Sequence, residues 1–165
     1  MKELILTHQK IAHTTRRIAF QILETYSGES SIIVAGVKGS GMTFAQKIAQ
    51  ELQKISDIEI TVVEVLLNKQ AVQEETTHLS CSIELVKDQS VVLVDDVLNS
   101  GATLMHACIP FLRGQVKKLK TAVLVNRNHK KFPIKADFKG ISLSTSSFEH
   151  VEVIFEPEND RAYLE

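Results

Sequence analysis

Two adjacent carboxylates, Asp95 and Asp96, followed closely by Asn99-Ser100-Gly101-Ala102-Thr103, carry the strongest chemical signal in this chain. At the start of a helix the backbone N–H groups lack intrahelical partners and point outward, and Ser100 and Thr103 would add hydroxyl donors. Gly101 lets the backbone approach an anion without a Cβ in the way. Such a turn can wrap a phosphate. The acid pair lies one step away, within reach of a ribose ring, where carboxylates accept from sugar hydroxyls or hold a hydrated Mg²⁺. A phosphate cradle beside a diol-binding pair describes a phosphosugar ligand.

Two further segments have the types to join this site. Val37 to Gly41 is a glycine-rich turn whose amides at Gly39 and Ser40 can face a diphosphate, with Lys38 as a point charge. Glycines at 36, 39 and 41 lack the spacing of a dinucleotide fingerprint. The basic run Asn126-Arg127-Asn128-His129-Lys130-Lys131 reads by itself as a solvated surface turn.

These residues need elements to bring them together. Val91 to Val94 is an apolar run, expected as a strand buried on both faces that ends at the acids. Val97 and Leu98 then lead into the small-residue turn, and a helix is expected from Ala102 to Leu112. Upstream, Ile11, Ile18, Ala19, Ile22 and Leu23 form the stripe of a helix over 8–26, closed by Gly28. Ser31 to Gly36 reads as a strand; Phe44, Ala45, Ile48, Ala49, Leu52 and Ile55 mark a second helix. Ile58 to Leu67 is a β-branched strand, 69–78 a polar mobile loop able to close over the site, and Ser82 to Val86 its return strand. Lys120 to Val125 is another buried strand, followed by short strands near Ile141 and Val151 to Phe155 in an antiparallel tail. Repeated strand–helix units predict an α/β layer architecture around a mainly parallel sheet. Ligands of such sheets sit outside the carboxyl ends of the strands, where the loops 37–41, 95–103 and 126–129 fall.

The chain has 165 residues, 44% of them hydrophobic and 24% charged, an ordinary balance for one domain spanning 1–165. A net charge of −1 leaves no overall basic field for nucleic acid. No apolar run approaches membrane-spanning length, so no membrane partner is expected. Cys81 and Cys108 have no metal or CxxC spacing and read as reduced thiols of a cytoplasmic protein.

The run from Val91 to Leu104 resembles the 5-phosphoribosyl-1-diphosphate (PRPP) signature of type I phosphoribosyltransferases: a hydrophobic strand, two acids and a Thr/Ser-Gly-x-Thr loop. The third loop narrows the likeness to the pyrimidine operon attenuator proteins that also act as uracil phosphoribosyltransferases. Their segment Asp-Arg-Gly-His-Arg-Glu-Leu-Pro-Ile-Arg-Ala-Asp-Tyr is matched here at Arg127, His129, Pro133, Ile134, Ala136 and Asp137. Thr15-Arg16-Arg17-Ile18-Ala19 and Asp95-Asp96-Val97-Leu98 match as well.

The resemblance implies the type I phosphoribosyltransferase fold with a small hood built from the tail. It also implies transfer of ribose 5-phosphate from PRPP to a nucleobase, uracil by family, in pyrimidine salvage. Asp95 and Asp96 would hold the ribose hydroxyls, Asn99 to Thr103 the 5-phosphate, Lys38 to Ser40 with Mg²⁺ the diphosphate, and Arg127 and His129 would face the base. A homo-oligomer is expected. The departures are specific. The family's Thr-Arg-Gly is Gly39-Ser40-Gly41 here, its Arg-Asp-Asp falls near Asn68-Lys69-Gln70, and its Tyr-Thr-Gly-Arg-Thr is Asn99-Ser100-Gly101-Ala102-Thr103. Ser40 and Ala102 thereby stand in place of two family arginines. A non-catalytic PRPP or nucleotide sensor, an RNA-binding regulator of pyrimidine genes and a purine-type transferase stay open as alternatives, RNA being disfavoured by net charge.

Overall fold

A computed structural model describes residues 2–71 and 76–165. Its framework is a six-stranded sheet made of β2 (Ser31–Val37), β3 (Glu59–Leu66), β4 (His78–Leu79), β5 (Ser90–Leu98), β6 (Lys118–Arg127) and β7 (Phe138–Leu143) in the order β4-β3-β2-β5-β6-β7. All neighbours are parallel except β3 and β4. Strand alternation sorts the apolar residues into two cores. Val34, Val92, Val94 and Leu124 pack toward α1 (His8–Thr25) and α2 (Ser40–Ile55), which contribute Ile11, Ile18, Ile22, Phe44, Ile48 and Leu52. Ile33, Ala35, Val91, Leu93 and Val123 point the other way, toward Leu104, Ala107 and Phe111 of α3 (Ala102–Arg113). This two-sided burial is why the central strands are continuous apolar runs.

The chain ends form a second sheet. β1 (Glu3–Leu6), β9 (Arg161–Leu164) and β8 (Val151–Ile154) pair antiparallel in the order β1-β9-β8. This hood shares the first core through Leu6, Val151, Val153 and Ala162, and Phe155 beside it stacks on Phe44 of α2 at 6.1 Å between ring centroids. A β-bulge interrupts the β1–β9 register between Leu4 and Leu6.

Several boundaries differ from the sequence pattern. β5 does not end before the acids: pairing with β6 continues to Leu98 opposite Asn126, so Asp95 and Asp96 lie inside the strand. The return strand is β4, whereas Ile83–Val86 is a single 3₁₀ turn, held by Ser82 accepting from Glu84 N. Gly28 does not adopt a left-handed cap; α1 ends at Tyr26, whose N–H bonds Ile22 O and whose buried hydroxyl donates to Val91 O at 2.9 Å. The tail is only partly antiparallel, because β7 runs parallel to β6. Of the expected mobile loop, residues 72–75 lie outside the described residues.

Candidate active site

The parallel strands β2, β3, β5 and β6 bring their carboxyl ends to one end of the sheet, where β8 of the hood faces them. Between them lies a cavity of about 520 Å³, lined by Ser40, Lys69, Asp95, Asp96, Val97, Asn99, Thr103, Arg127 and the hood residues His150, Val151, Glu152 and Val153. An adjoining cavity of about 500 Å³ is lined by Lys38, Gly39, Leu66, Leu67, Asn68, Lys69, Thr76 and His78. Lys69 borders both.

Two helices begin at the first cavity. α1 starts conventionally, with Thr7 Oγ1 accepting from Lys10 N at 3.3 Å. α2 and α3 instead start at Gly39 and Gly101, with φ of 93° and 89°, and neither glycine brings a side-chain cap; at α3, Ser100 Oγ accepts from Ala102 N at 3.3 Å. Their opening residues Ser40 and Thr103 line the cavity. Two helix starts and the positive ends of their dipoles thus meet at one place, which suits anionic oxygens. Gly101 is needed twice over: its backbone is left-handed, and a Cβ there would come within 2.6 Å of Ile134 Cγ2.

The acid pair stands opposite. Asp95 is 1% exposed, and its Oδ1 accepts from Asp96 N and Lys69 Nζ, each at 2.9 Å. Asp96 is half-buried, its Oδ1 accepting from Val97 N at 2.9 Å and lying 3.6 Å from Lys69 Nζ. Burial, reinforced by the neighbouring Asp96 and opposed by Lys69, pushes the Asp95 carboxyl up to about 7. For Lys69 burial acts downward, yet the two carboxylates outweigh it and hold the ammonium above its ordinary value. A strand ending at the acids would have left both open to solvent; Asp96 is half-buried, but Asp95 is not exposed. Asp95 is covered because β5 continues past it and α2 packs over it: a Cβ on Gly41 would lie 2.7 Å from Asp95 Oδ1.

The remaining expected residues divide. Val97 lines the cavity, while Leu98 is 1% exposed in the α3 core and brings only backbone to the loop. Ser100 Oγ accepts from Ala102 N at 3.3 Å, and its carbonyl accepts from Lys131 N at 2.8 Å and Phe132 N at 3.2 Å. The basic segment is solvated at Asn128, Lys130 and Lys131, as expected, and its backbone also buttresses the Asn99–Thr103 loop. Gly101 and Ala102 sit at the α3 start without lining either cavity, and Lys38 and Gly39 lie in the adjoining one.

Arg127 lines the first cavity but is 3% exposed and committed to the segment before β8. Its Nε donates to Thr145 Oγ1 at 2.9 Å, and its Nη2 to Ser146 O at 3.1 Å and Glu149 O at 2.7 Å. His129 Nε2 meets Thr145 O. Both side chains tie the sheet end to the hood approach.

Sequence reading missed Lys69 and the hood residues. Lys69 had a usable signal, since it closely follows β3 and that strand also ends on the ligand side of a parallel sheet. His150, Val151, Glu152 and Val153 carried none, because their placement depends on pairing the two chain ends. Among the described residues, no group of three or more His, Cys, Asp or Glu gathers to hold a metal. Two carboxylates, one already bonded to Lys69, suit a hydrated Mg²⁺ that brings its other oxygens with a substrate, not a closed protein cage.

Known proteins agree with this geometry. The phosphoribosyl transferase domain model matches residues 2–158. The bifunctional protein PyrR of Geobacter sp. (strain M21) is 32% identical over 163 residues, covering 94% of this chain and 92% of that protein. PyrR of Bacillus subtilis (strain 168) is 33% identical over 163 residues, covering 92% and 89%. Among solved structures, the hypoxanthine phosphoribosyltransferase of Trypanosoma cruzi superposes with a TM-score of 0.77 at 14% identity, covering 97% of this chain and 95% of that one. A hypoxanthine-guanine phosphoribosyltransferase from Bacillus anthracis gives 0.70 at 19% identity, covering 89% and 85%. With a cavity where two helix starts face an acid pair, and with family likeness along almost its whole length, the chain belongs to the type I phosphoribosyltransferases.

Proposed function

We propose that this protein transfers the 5-phosphoribosyl group of PRPP to uracil and releases diphosphate. The observation that carries this is the meeting, in one cavity, of two helix starts and a carboxylate pair. Uracil is favoured by the likeness to PyrR proteins and by the residues matched at Arg127, His129, Pro133 and Ile134. A nucleobase nitrogen attacks C1 of the ribose as the bond to the diphosphate oxygen breaks. Positive charge grows on the sugar and negative charge on the leaving group, so the protein's work is positioning and electrostatic stabilisation.

Asp95 and Asp96 accept from the ribose hydroxyls and favour the cationic sugar. The amides and hydroxyls of Asn99 to Thr103 bind the 5-phosphate, while Lys38, Gly39 and Ser40 hold the diphosphate. Arg127 and His129 fix the segment before β8 as the wall on the base side. Asp95 and Asp96 would hold a hydrated Mg²⁺, which when bound would supply positive charge to offset that of the leaving group. RNA stays outside this proposal. Arg17, a basic residue of α1, donates to Lys139 O, Gly140 O and Gln21 Oε1 within the protein.

The test is a screen of nucleobases for PRPP-dependent formation of nucleoside monophosphate with Mg²⁺ present, run beside PRPP binding. Uracil should give product. Binding without product from any base would replace transfer by nucleotide sensing, and no PRPP binding at all would end this reading.

A further inference from the structure

Lys69 stands in the wall between the two cavities, and they differ in charge. On one side its ammonium lies 2.9 Å from Asp95 Oδ1 and 3.6 Å from Asp96 Oδ1. On the other side the described lining includes Lys38 and His78 and no carboxylate. The Lys69 side chain is 39% exposed, on a loop beyond β3. A lysine ammonium is a point charge on a flexible stem with rotatable donors, able to change partners without moving the backbone. Only the lysine end of this pair reaches solvent; Asp95 itself is buried.

The acid pair with one lysine keeps a net negative charge, yet its best-placed oxygen, Asp95 Oδ1, is already taken. A divalent cation at this oxygen would share it with the Lys69 ammonium, and the two like charges repel. Ser40, at the start of α2, offers a hydroxyl to an anion but no charge.

We propose that Lys69 is a tethered cation with two stations. In the free protein it occupies the cation position of Asp95 and Asp96. When substrate enters, Lys69 yields that position to the sugar and its divalent ion and turns to the diphosphate in the adjoining cavity, beside Lys38. This rests on reading the site as one for PRPP. It makes Lys69 a positioning residue for the leaving group and a competitor of metal in the empty site.

The experiment uses the full chain, wild type beside Lys69→Gln and Lys69→Arg, in two titrations without PRPP. Mn²⁺ alone should bind Lys69→Gln about fivefold more tightly, because a competing ion pair is gone. Inorganic diphosphate without metal should bind that variant about tenfold more weakly, for want of a charge-assisted contact. Lys69→Arg, which keeps the charge, should stay near wild type in both.

Unchanged or weaker Mn²⁺ binding by Lys69→Gln overturns the first station, and unchanged diphosphate binding overturns the second. A parallel PRPP titration of wild type separates this inference from the function it rests on. If both ion affinities shift as expected but PRPP fails to bind, the two stations stand and the PRPP reading falls.

Discussion

Asp95 and Asp160 invite comparison, since both are buried aspartates with a lysine ammonium at 2.9 Å. Asp160 lies just before β9. Its Oδ2 meets Lys47 of α2, its Oδ1 accepts from Glu156 N at 3.1 Å, and its backbone N–H donates to His8 Nδ1 at the start of α1 at 3.2 Å. It is a clamp between the hood and two helices. Asp95 has the same burial and the same kind of lysine, but its chain neighbour is another acid. Burial, reinforced by Asp96, raises the Asp95 pKa, and Lys69 there faces two carboxylates instead of one. Burial beside a lysine is thus common to a structural clamp and to a cavity wall; what differs is the second carboxylate.

The sharpest way to break this contrast is at the clamp. Asp160→Ala should destabilise the protein by about 3 kcal/mol, because Lys47 and Glu156 N lose a buried partner. Urea unfolding checks it, and an unchanged midpoint would remove the clamp from the account.

Asp95→Asn should do the reverse to stability and harm to function. Its folded pKa, near 7, lies above the ordinary carboxylate value, so between about pH 4 and 7 the folded state holds a proton that the unfolded chain has released. Wild-type stability from this group therefore falls as pH rises through that window, and the full penalty applies above it. Asn carries no such penalty. The variant should gain on the order of 2 kcal/mol at pH 8, with the gain vanishing near pH 4, while transfer drops by about 100-fold or more. Equal unfolding midpoints for the two proteins at both pH values would contradict the burial argument.

Gly41→Ala probes the packing that covers Asp95. The added Cβ would be 2.7 Å from its Oδ1, and a loss of about 1–2 kcal/mol is expected by thermal melting. Combined with Asp95→Ala the loss should shrink, since the crowded oxygen is then absent; full additivity would argue against direct contact.

The smallest effect belongs to the phosphate loop. Thr103→Val keeps shape and removes one hydroxyl donor, so PRPP affinity should fall by about 1 kcal/mol in calorimetry. Unchanged affinity would move the 5-phosphate away from this helix start.

Much of this was legible in the residues. The apolar runs of β2, β5 and β6, the stripes of α1 and α2, and the Asn99–Thr103 loop could be read because each is local: period, turn glycine and hydroxyls lie within one short segment. The harder features were relational. Nothing local told Arg127 and His129 that they would hold Thr145, or made Lys131 and Phe132 donate to Ser100. The acid pair was recognised as chemistry, yet its solvation was misjudged, because covering Asp95 needs α2 and a continued β5–β6 ladder.

By itself, then, the amino-acid order determined an α/β framework with glycine-bearing turns at the carboxyl ends of parallel strands. Periodicity and turn chemistry act over a few residues and do not depend on distant partners. Tertiary structure alone decided that the chain termini pair into a hood, that His150 to Val153 wall the cavity, and that Lys69 stands between two cavities, one of them lined by the acid pair. Those outcomes depend on which segments meet across long stretches of chain, and on electrostatics that only burial and proximity create.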